Sequence, residues 1–118
     1  MKKTHRLRAV LRGSQYKYET IPPPQAVTGQ IEPKPLYLVM QKQWFDEVLS
    51  GRKKIEYRDN TEFYRSRLTK DGNFRNYTSA IMQEGYNAGA RRMTIEIRQV
   101  VLNGCFEIHL GEIIDKNF

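Results

Sequence analysis

Apolar residues in the C-terminal half of the chain recur at every second position, which is the pattern of strands with one buried face. The segment from Arg92 to Val101 alternates Met, Ile and Ile with polar residues, and the segment from Phe106 to Leu110 alternates Phe, Ile and Leu in the same way. Asn103-Gly104, which lies between them, is a strong hairpin-turn signal. The sequence therefore predicts an antiparallel hairpin in this region.

Before this hairpin the pattern changes twice. Leu36 to Met40 is a continuous apolar run, which is typical of a strand buried on both faces. From Gln41 to Ser50 the apolar residues fall at helical spacing, and the stripe includes Trp44, which we expect in the core. Gly51 suits the left-handed residue that follows a helix end, and Lys53 to Arg58 then alternates as a strand.

A second short helix is predicted after that strand. Asp59 followed by Glu62 has the spacing of a capping box. Phe63, Tyr64 and Leu68 would form the apolar side of this helix. The expected fold class is mainly β (α+β), a small β-barrel of about five strands with two short helices. The five expected strands are residues 36–40, 53–58, 78–83, 92–101 and 106–110.

Residues 1–34 differ in character from the rest of the chain. They carry seven basic residues against two acidic ones, a net charge of +5 out of +7 for the whole chain. The run Ile21-Pro22-Pro23-Pro24 excludes helix and favours an extended polyproline conformation. We therefore predict a basic, proline-containing, flexible leader over residues 1–34 and one folded domain over residues 35–118. A basic leader attracts phosphate backbones without reading sequence, but a solubilising tail or a mis-set start codon explains it equally well.

Composition excludes several classes of protein. With 118 residues and 39% hydrophobic content, the chain has one domain at most. No apolar run approaches the ~20 residues needed to cross a bilayer, and the basic N-terminus lacks the apolar segment of a secretory signal. The single Cys105 cannot form an internal disulfide, which fits a cytoplasmic location. One cysteine and two distant histidines have no metal-ligand spacing, so we expect neither a metal nor a cofactor.

The most informative segment is Gly51 to Arg58, because its charged residues share one strand. Side chains two apart on a strand point to the same face, so we expect Glu56 and Arg58 side by side, with Lys53 at the strand entrance. A carboxylate held between cations stays ionised and fixed in direction. These residues form either a compact polar site or a solvated strand face whose ion pair contributes less than ~1 kcal/mol.

Gly51, Lys53, Glu56 and Arg58 match the G-x-K-x-x-E-x-R signature of the ASCH family, in the PUA-like superfamily. Residues 35–118 resemble the small, single-domain ASCH proteins of bacteria and phages. This resemblance implies a PUA-like β-barrel. It also implies that Lys53, Glu56 and Arg58 line a ligand cleft in the centre of that barrel.

Two further candidate ligand-binding residues follow from their chemistry. Tyr86 comes after Gly85 in a predicted loop, where an aromatic ring can stack on a base. The amide of Gln83 can both donate to a base edge and accept from it. Either residue can equally be structural, with Tyr86 covering the end of the barrel and Gln83 facing water.

Three functions remain open at this point. PUA-like domains are generally linked to RNA, so the resemblance implies first an RNA- or nucleotide-binding module, with RNA or a modified nucleoside or nucleotide as partner and no membrane. One branch of the ASCH family hydrolyses an acetylated cytidine with a Lys and a Thr of the motif strand. The Lys corresponds to Lys53, but Glu56 stands in the Thr position, so a hydrolase here would use Lys53 and Glu56 as catalytic groups. The third function is that of a structural or host-modulating phage-type protein with a vestigial site.

Overall fold

A computed structural model describes the backbone of residues 6–12, 15–21 and 27–118 and the side chains of residues 27–118. The proline run at residues 22–24, on which the expected polyproline conformation depends, lies outside the described residues. The helices are α1 (Lys42–Leu49) and α2 (Glu62–Leu68). The strands are β1 (Arg6–Arg12), β2 (Gln15–Ile21), β3 (Val27–Ile31), β4 (Leu36–Met40), β5 (Ile55–Arg58), β6 (Thr69–Lys70), β7 (Asn73–Asn76), β8 (Ser79–Glu84), β9 (Arg92–Asn103) and β10 (Cys105–Lys116).

The main sheet has five strands in the order β4-β8-β9-β10-β5. β4 runs parallel to β8, and the other neighbours are antiparallel. This sheet is open and curled, like half of a barrel, and a three-stranded sheet in the order β3-β7-β6 accompanies it. β1 and β2 pair with each other. The predicted mainly β (α+β) class with two short helices is confirmed. No helix in the described part of the chain is long and apolar enough to cross a membrane.

The core lies on the concave side of the curled sheet, where α1 covers it. The alternation predicted for β9 and β10 is confirmed, because Met93, Ile95 and Ile97 in β9 and Phe106, Ile108 and Leu110 in β10 are buried and the residues between them are not. The hairpin turn between them contains Gly104, whose φ of 80° lies in the left-handed region. The fully buried larger side chains are those of Phe45, Phe106, Leu36, Leu38, Leu68, Met82, Met93 and Ile108.

Two burial predictions are wrong. β4 is buried on one face only, since Leu36 and Leu38 are 1% exposed whereas Tyr37 between them is 42% exposed. The residues of β4 alternate between the buried core side and the opposite, more exposed side of the sheet. Trp44 is also 42% exposed rather than in the core, because the short α1 packs mainly through Phe45 and Val48.

The start of α2 differs from the predicted capping box. Thr61, not Asp59, is the N-cap residue, and its hydroxyl accepts a hydrogen bond from the backbone N–H of Tyr64 at 3.2 Å. Leu68 is buried as expected, but Phe63 is 55% exposed. The helix therefore starts two residues after the position that the Asp-x-x-Glu spacing indicated.

β3 is a strand that the sequence pattern did not predict. It runs parallel to β7, with Val27 opposite Phe74 and Ile31 opposite Asn76. Just after it, Glu32 lies 3.4 Å from the guanidinium of Arg75. Residues 27–32 of the predicted leader therefore lie against residues 73–76, and the division of the chain at residue 34 remains a prediction.

Arg91 links α1 to the main sheet. It donates hydrogen bonds to Asp46 at 2.6 Å and to Glu84 at 2.8 Å, and its guanidinium lies 4.7 Å from the ring of Phe45. Hydrogen bonds from Lys42 and then from Arg91 lower the pKa of Asp46, and the hydrogen bond from Arg91 lowers the pKa of Glu84.

Deleting residues 1–26 should leave the melting temperature almost unchanged, because β1 and β2 pair only with each other within the described sheets. Deleting residues 1–34 also removes β3 and the ion pair of Glu32, and it should lower the melting temperature by several degrees, about 4–8 °C for each kcal/mol lost. Thermal melts followed by circular dichroism measure both values. Equal melting temperatures for the two deletions would show that β3 adds no stability.

The lowered pKa values of Asp46 and Glu84 predict a loss of stability in acid. Both carboxyls have a lower pKa in the folded chain than in the unfolded one, so the free energy of unfolding should fall as the pH drops below ~4. Arg91→Met should flatten this part of the curve of stability against pH. Arg52→Met, which removes an exposed arginine paired with Glu47, is the matched control. Urea denaturation from pH 3 to pH 7 measures the effect, and an unchanged slope in Arg91→Met would contradict it.

Candidate functional site

Glu56 and Arg58 project from β5 into the interior of the curled sheet. In the β5–β10 register, Arg58 lies opposite Phe106 and Glu56 opposite Ile108, and both of these partners are fully buried. Directly opposite residues share a face, so the two charged residues lie on the core side. Their spacing predicted the shared face but not its burial. Glu56 is 6% exposed, and it is the only charged residue that is buried in the chain from residue 27 onwards. The alternative of a solvated strand face is therefore wrong.

A buried ion pair joins these two residues. Arg58 donates from Nε to Oε2 of Glu56 at 2.8 Å, and its Nη2 lies 2.7 Å from the same oxygen. The other oxygen, Oε1, lies 3.6 Å from Nζ of Lys53. Burial acts to lower the pKa of Arg58, but the negative charge of Glu56 and a hydrogen bond to Tyr64 outweigh it, so that the pKa lies above its ordinary value. Arg58 therefore stays protonated inside the fold.

Arg58 also connects the two edges of the main sheet. β4 and β5 are the edge strands, and we call the gap between them the seam. From β5, Nη2 of Arg58 donates to the carbonyl oxygen of Val39 in β4 at 3.1 Å, and Nη1 donates to the hydroxyl of Tyr64 in α2 at 2.6 Å. One guanidinium thus satisfies a carbonyl on an otherwise unpaired strand edge and fixes α2 over the seam.

Lys53 lies between two aromatic rings at the entrance to β5. Its Nζ is 5.1 Å from the ring centroid of Trp44 and 5.1 Å from that of Tyr57, a geometry typical of cation–π contacts. Together with Glu56, these rings restrict the ammonium group to one position. Trp44, which the helical pattern assigned to the core, is therefore part of the candidate site. The apolar stripe of a helix does not show which of its residues lie at the buried centre and which lie at the edge. No signal in the sequence therefore pointed to Trp44 as a site residue.

Two hollows flank Arg58. The first has a volume of about 240 Å³ and is lined by Val39, Met40, Gln41, Trp44, Glu56 and Arg58. The second has a volume of about 450 Å³, shares Val39 and Arg58 with the first, and is lined further by Tyr37, Phe63, Tyr64, Arg67 and Tyr86. Lys53 lines neither hollow but contacts Trp44 and Glu56, which line the first. The first hollow is thus bounded by a carboxylate, a guanidinium and an indole ring.

The two candidate residues of the β8 region have different environments. Tyr86 is 87% exposed and lines the second hollow. Gln83 lines neither hollow, and its side-chain oxygen accepts hydrogen bonds from the hydroxyl of Tyr37 and from Nε of Arg92. Its Nε2 donates to the carbonyl oxygen of Gly85 at 2.7 Å. Gln83 therefore holds the turn that carries Tyr86, a contact that gives it a positioning role.

Tyr37, Phe63, Tyr64 and Arg67 were not among the candidate residues. They come from β4 and α2, and they meet Arg58 and Tyr86 only because the sheet curls. Their sequence separations follow no local period, so spacing gives no signal that would group them.

Two larger hollows, of about 500 Å³ and 700 Å³, are lined by none of Lys53, Glu56 and Arg58. His109 and Lys54 line one of them, and Glu84 and Arg91 line the other. Neither contains a buried charge, because Glu56 alone is buried among the charged residues from position 27 onwards. Charged groups held out of water are uncommon and tend to cluster at functional sites, so the site at the seam is the stronger candidate.

Comparison of the chain with protein-family models, with curated proteins and with solved structures found no match. In the described part of the chain, no three His, Cys, Asp or Glu side chains lie close enough together to hold a metal ion.

Arg58→Met should lower the free energy of unfolding by roughly 3–5 kcal/mol, because it leaves Glu56 buried without its main partner. This exceeds the contribution of less than ~1 kcal/mol that the sequence suggested for an exposed pair. The double variant Glu56→Gln/Arg58→Met should lose less than the sum of the two single changes, since no charge is then left unpaired. Urea denaturation measures all three.

Arg98→Met is the matched control for this cycle, since Arg98 is well exposed and its nearest carboxylate, on Glu96, is 3.6 Å away. It should change stability by less than ~1 kcal/mol. If Arg58→Met were as mild as Arg98→Met, the ion pair would not hold the seam together.

Proposed function

We propose that the chain is an RNA- or nucleotide-binding module of the ASCH family, with a nucleobase in the first hollow at the seam. The observation that carries this proposal is the buried carboxylate of Glu56, held in one direction by Arg58 at the wall of a hollow that Trp44 also lines. A fixed acceptor beside an exposed aromatic ring suits the amino group and the flat face of a base. The match of Gly51, Lys53, Glu56 and Arg58 to the ASCH signature supports the same proposal.

Each side chain has a distinct part in the proposed complex. Glu56 accepts a hydrogen bond from an exocyclic amine of the base, and Trp44 stacks on its face. Arg58 and Lys53 donate to carbonyl or phosphate oxygens of the ligand. Lys53 also keeps Trp44 and Glu56 in place through its contacts with both. We place this activity in the cytoplasm, on the argument from the single Cys105.

Hydrolysis of a modified nucleoside is the weaker alternative. The residues that line the first hollow include no Ser, Thr or Cys that could act as a nucleophile. A hydrolase would need Glu56 to activate water or Lys53 to act as the nucleophile. Lys53 in turn lies between Trp44 and Tyr57. This arrangement favours ligand binding over catalysis.

Trp44 provides a direct readout, because it is the only tryptophan in the chain. Binding of a nucleoside or short RNA in the first hollow should quench its fluorescence to saturation. Lys53→Met should weaken this binding by on the order of 1–3 kcal/mol, the usual contribution of a charged hydrogen bond. Lys54→Met, an adjacent exposed lysine, should bind like the parent. Absence of quenching by every nucleoside and RNA tested, or equal losses in the two lysine variants, would overturn the proposal.

Glu56→Gln separates binding from catalysis, because it keeps the shape of the side chain and removes its charge. A binding module should lose part of its affinity and should release the nucleoside unchanged, as measured by mass spectrometry after long incubation. If the parent converts acetylated cytidine and Glu56→Gln binds it without converting it, the hydrolase alternative is correct.

A further inference from the structure

We infer that the ligand is a single-stranded oligonucleotide, with one base in the first hollow and the neighbouring nucleotide in the second hollow across Arg58. This inference rests on the proposed function and specifies its ligand class. The starting observation is that the two hollows share Val39 and Arg58 in their walls, so one continuous ligand can occupy both.

The sizes of the two hollows favour a ligand longer than a nucleoside. The first hollow, at about 240 Å³, is below the ~300–1,000 Å³ of a typical small-molecule pocket, so it suits one planar ring rather than a whole nucleotide. The second, at about 450 Å³, lies within that range. The sugar and phosphate that follow the first base must therefore leave the first hollow, and the second hollow lies directly beside it.

The second hollow has the composition of a site that stacks bases. Three of its aromatic side chains are open to solvent, with Tyr37 42%, Phe63 55% and Tyr86 87% exposed. Exposed rings grouped in one concave surface are unusual unless they meet a partner. Every base has a flat face, so rings of this kind bind bases with little dependence on sequence. The turn that carries Tyr86 is fixed, since Gly85 donates to the carbonyl oxygen of Met40 at 2.9 Å.

The charge of the second hollow complements a phosphate. Its lining includes Arg58 and Arg67 and no acidic residue. The charge of Arg58 is balanced by Glu56. The guanidinium of Arg67 lies 4.4 Å from the ring of Phe63, and no carboxylate from residue 27 onwards forms an ion pair with it. Arg67 is exposed. The guanidinium of Arg67 is therefore available to bind a phosphodiester at the second hollow.

A single strand satisfies this arrangement and a duplex does not. Two neighbouring bases can enter separate hollows only if they are splayed apart, with their edges free of pairing partners. In a duplex the same bases are stacked on each other and paired. The structure carries no feature that distinguishes ribose from deoxyribose, so RNA and DNA strands are both probes of the inference.

The test compares five probes on the full chain by fluorescence of Trp44. They are a nucleoside, the corresponding dinucleotide, a six-nucleotide single strand as RNA, the same strand as DNA, and the duplex of the same sequence. The dinucleotide and single strand should bind at least ten times more tightly than the nucleoside, and the duplex should bind more weakly than the single strand. Tyr86→Ala or Phe63→Ala should weaken single-strand binding about 5- to 150-fold, the range for one lost stacking contact. Neither variant should change nucleoside binding, and Tyr86→Phe should bind like the parent.

Arg67→Ala tests the phosphate contact. The slope of log K against log salt for single strands should become shallower by about 0.7 for one lost phosphate contact. Arg52→Ala, which makes the same change in net charge on an exposed arginine paired with Glu47, should leave the slope unchanged.

The outcomes separate this inference from the proposed function. If the nucleoside quenches Trp44 but longer strands bind no more tightly, the inference is wrong and the proposed function stands. If single strands bind tightly and Tyr86→Ala and Phe63→Ala bind like the parent, the second hollow is not used and the inference is wrong. A duplex that binds as well as the single strand overturns it too. If no probe binds, the proposed function and the inference both fail.

Discussion

The hydrogen bonds of Arg58 join parts of the fold that no backbone ladder connects. The main sheet is open, and its edge strands β4 and β5 meet through one guanidinium that contacts Glu56, Val39 and Tyr64. Placing this charge inside a small domain is costly, and the cost is offset only because Glu56 is buried beside it in good geometry. The two hollows lie on either side of Arg58, and Tyr64 of α2 is hydrogen-bonded to it.

The same ion pair explains why the candidate site lies at the seam. If β4 and β5 were joined by backbone hydrogen bonds, the two strands would occupy the seam. Because the side chain of Arg58 joins them instead, space is left on both sides of that side chain. Glu56 and Trp44 bound one space, and Tyr86 and Arg67 bound the other. In the proposed complex, stability and ligand recognition rest on the same residues. Variants of Arg58 alone therefore cannot separate the two, whereas variants of exposed residues can.

Sequence patterns predicted the local features of the strands but not the contacts between segments that are distant in sequence. The alternation in β9 and β10, and the shared face of Glu56 and Arg58, follow from the strand period and are present in the structure. The burial of that face was not predictable, because Tyr57 on the opposite face is the more apolar residue and yet is 52% exposed. The pairing of β3 with β7, and the arrival of Tyr64 beside Arg58, depend on contacts between distant segments that no local period encodes. The ASCH resemblance of the motif remains a proposal about family.

The most direct test of the account is an NMR titration of the ¹⁵N-labelled chain with a short single-stranded RNA, following the side-chain N–H signals of Trp44 and Arg58. The account predicts that the largest shift changes fall on these two signals and on the backbone amide of Tyr86. Shift changes concentrated instead around His109 and Arg98, which line the separate hollow on β9 and β10, would contradict it.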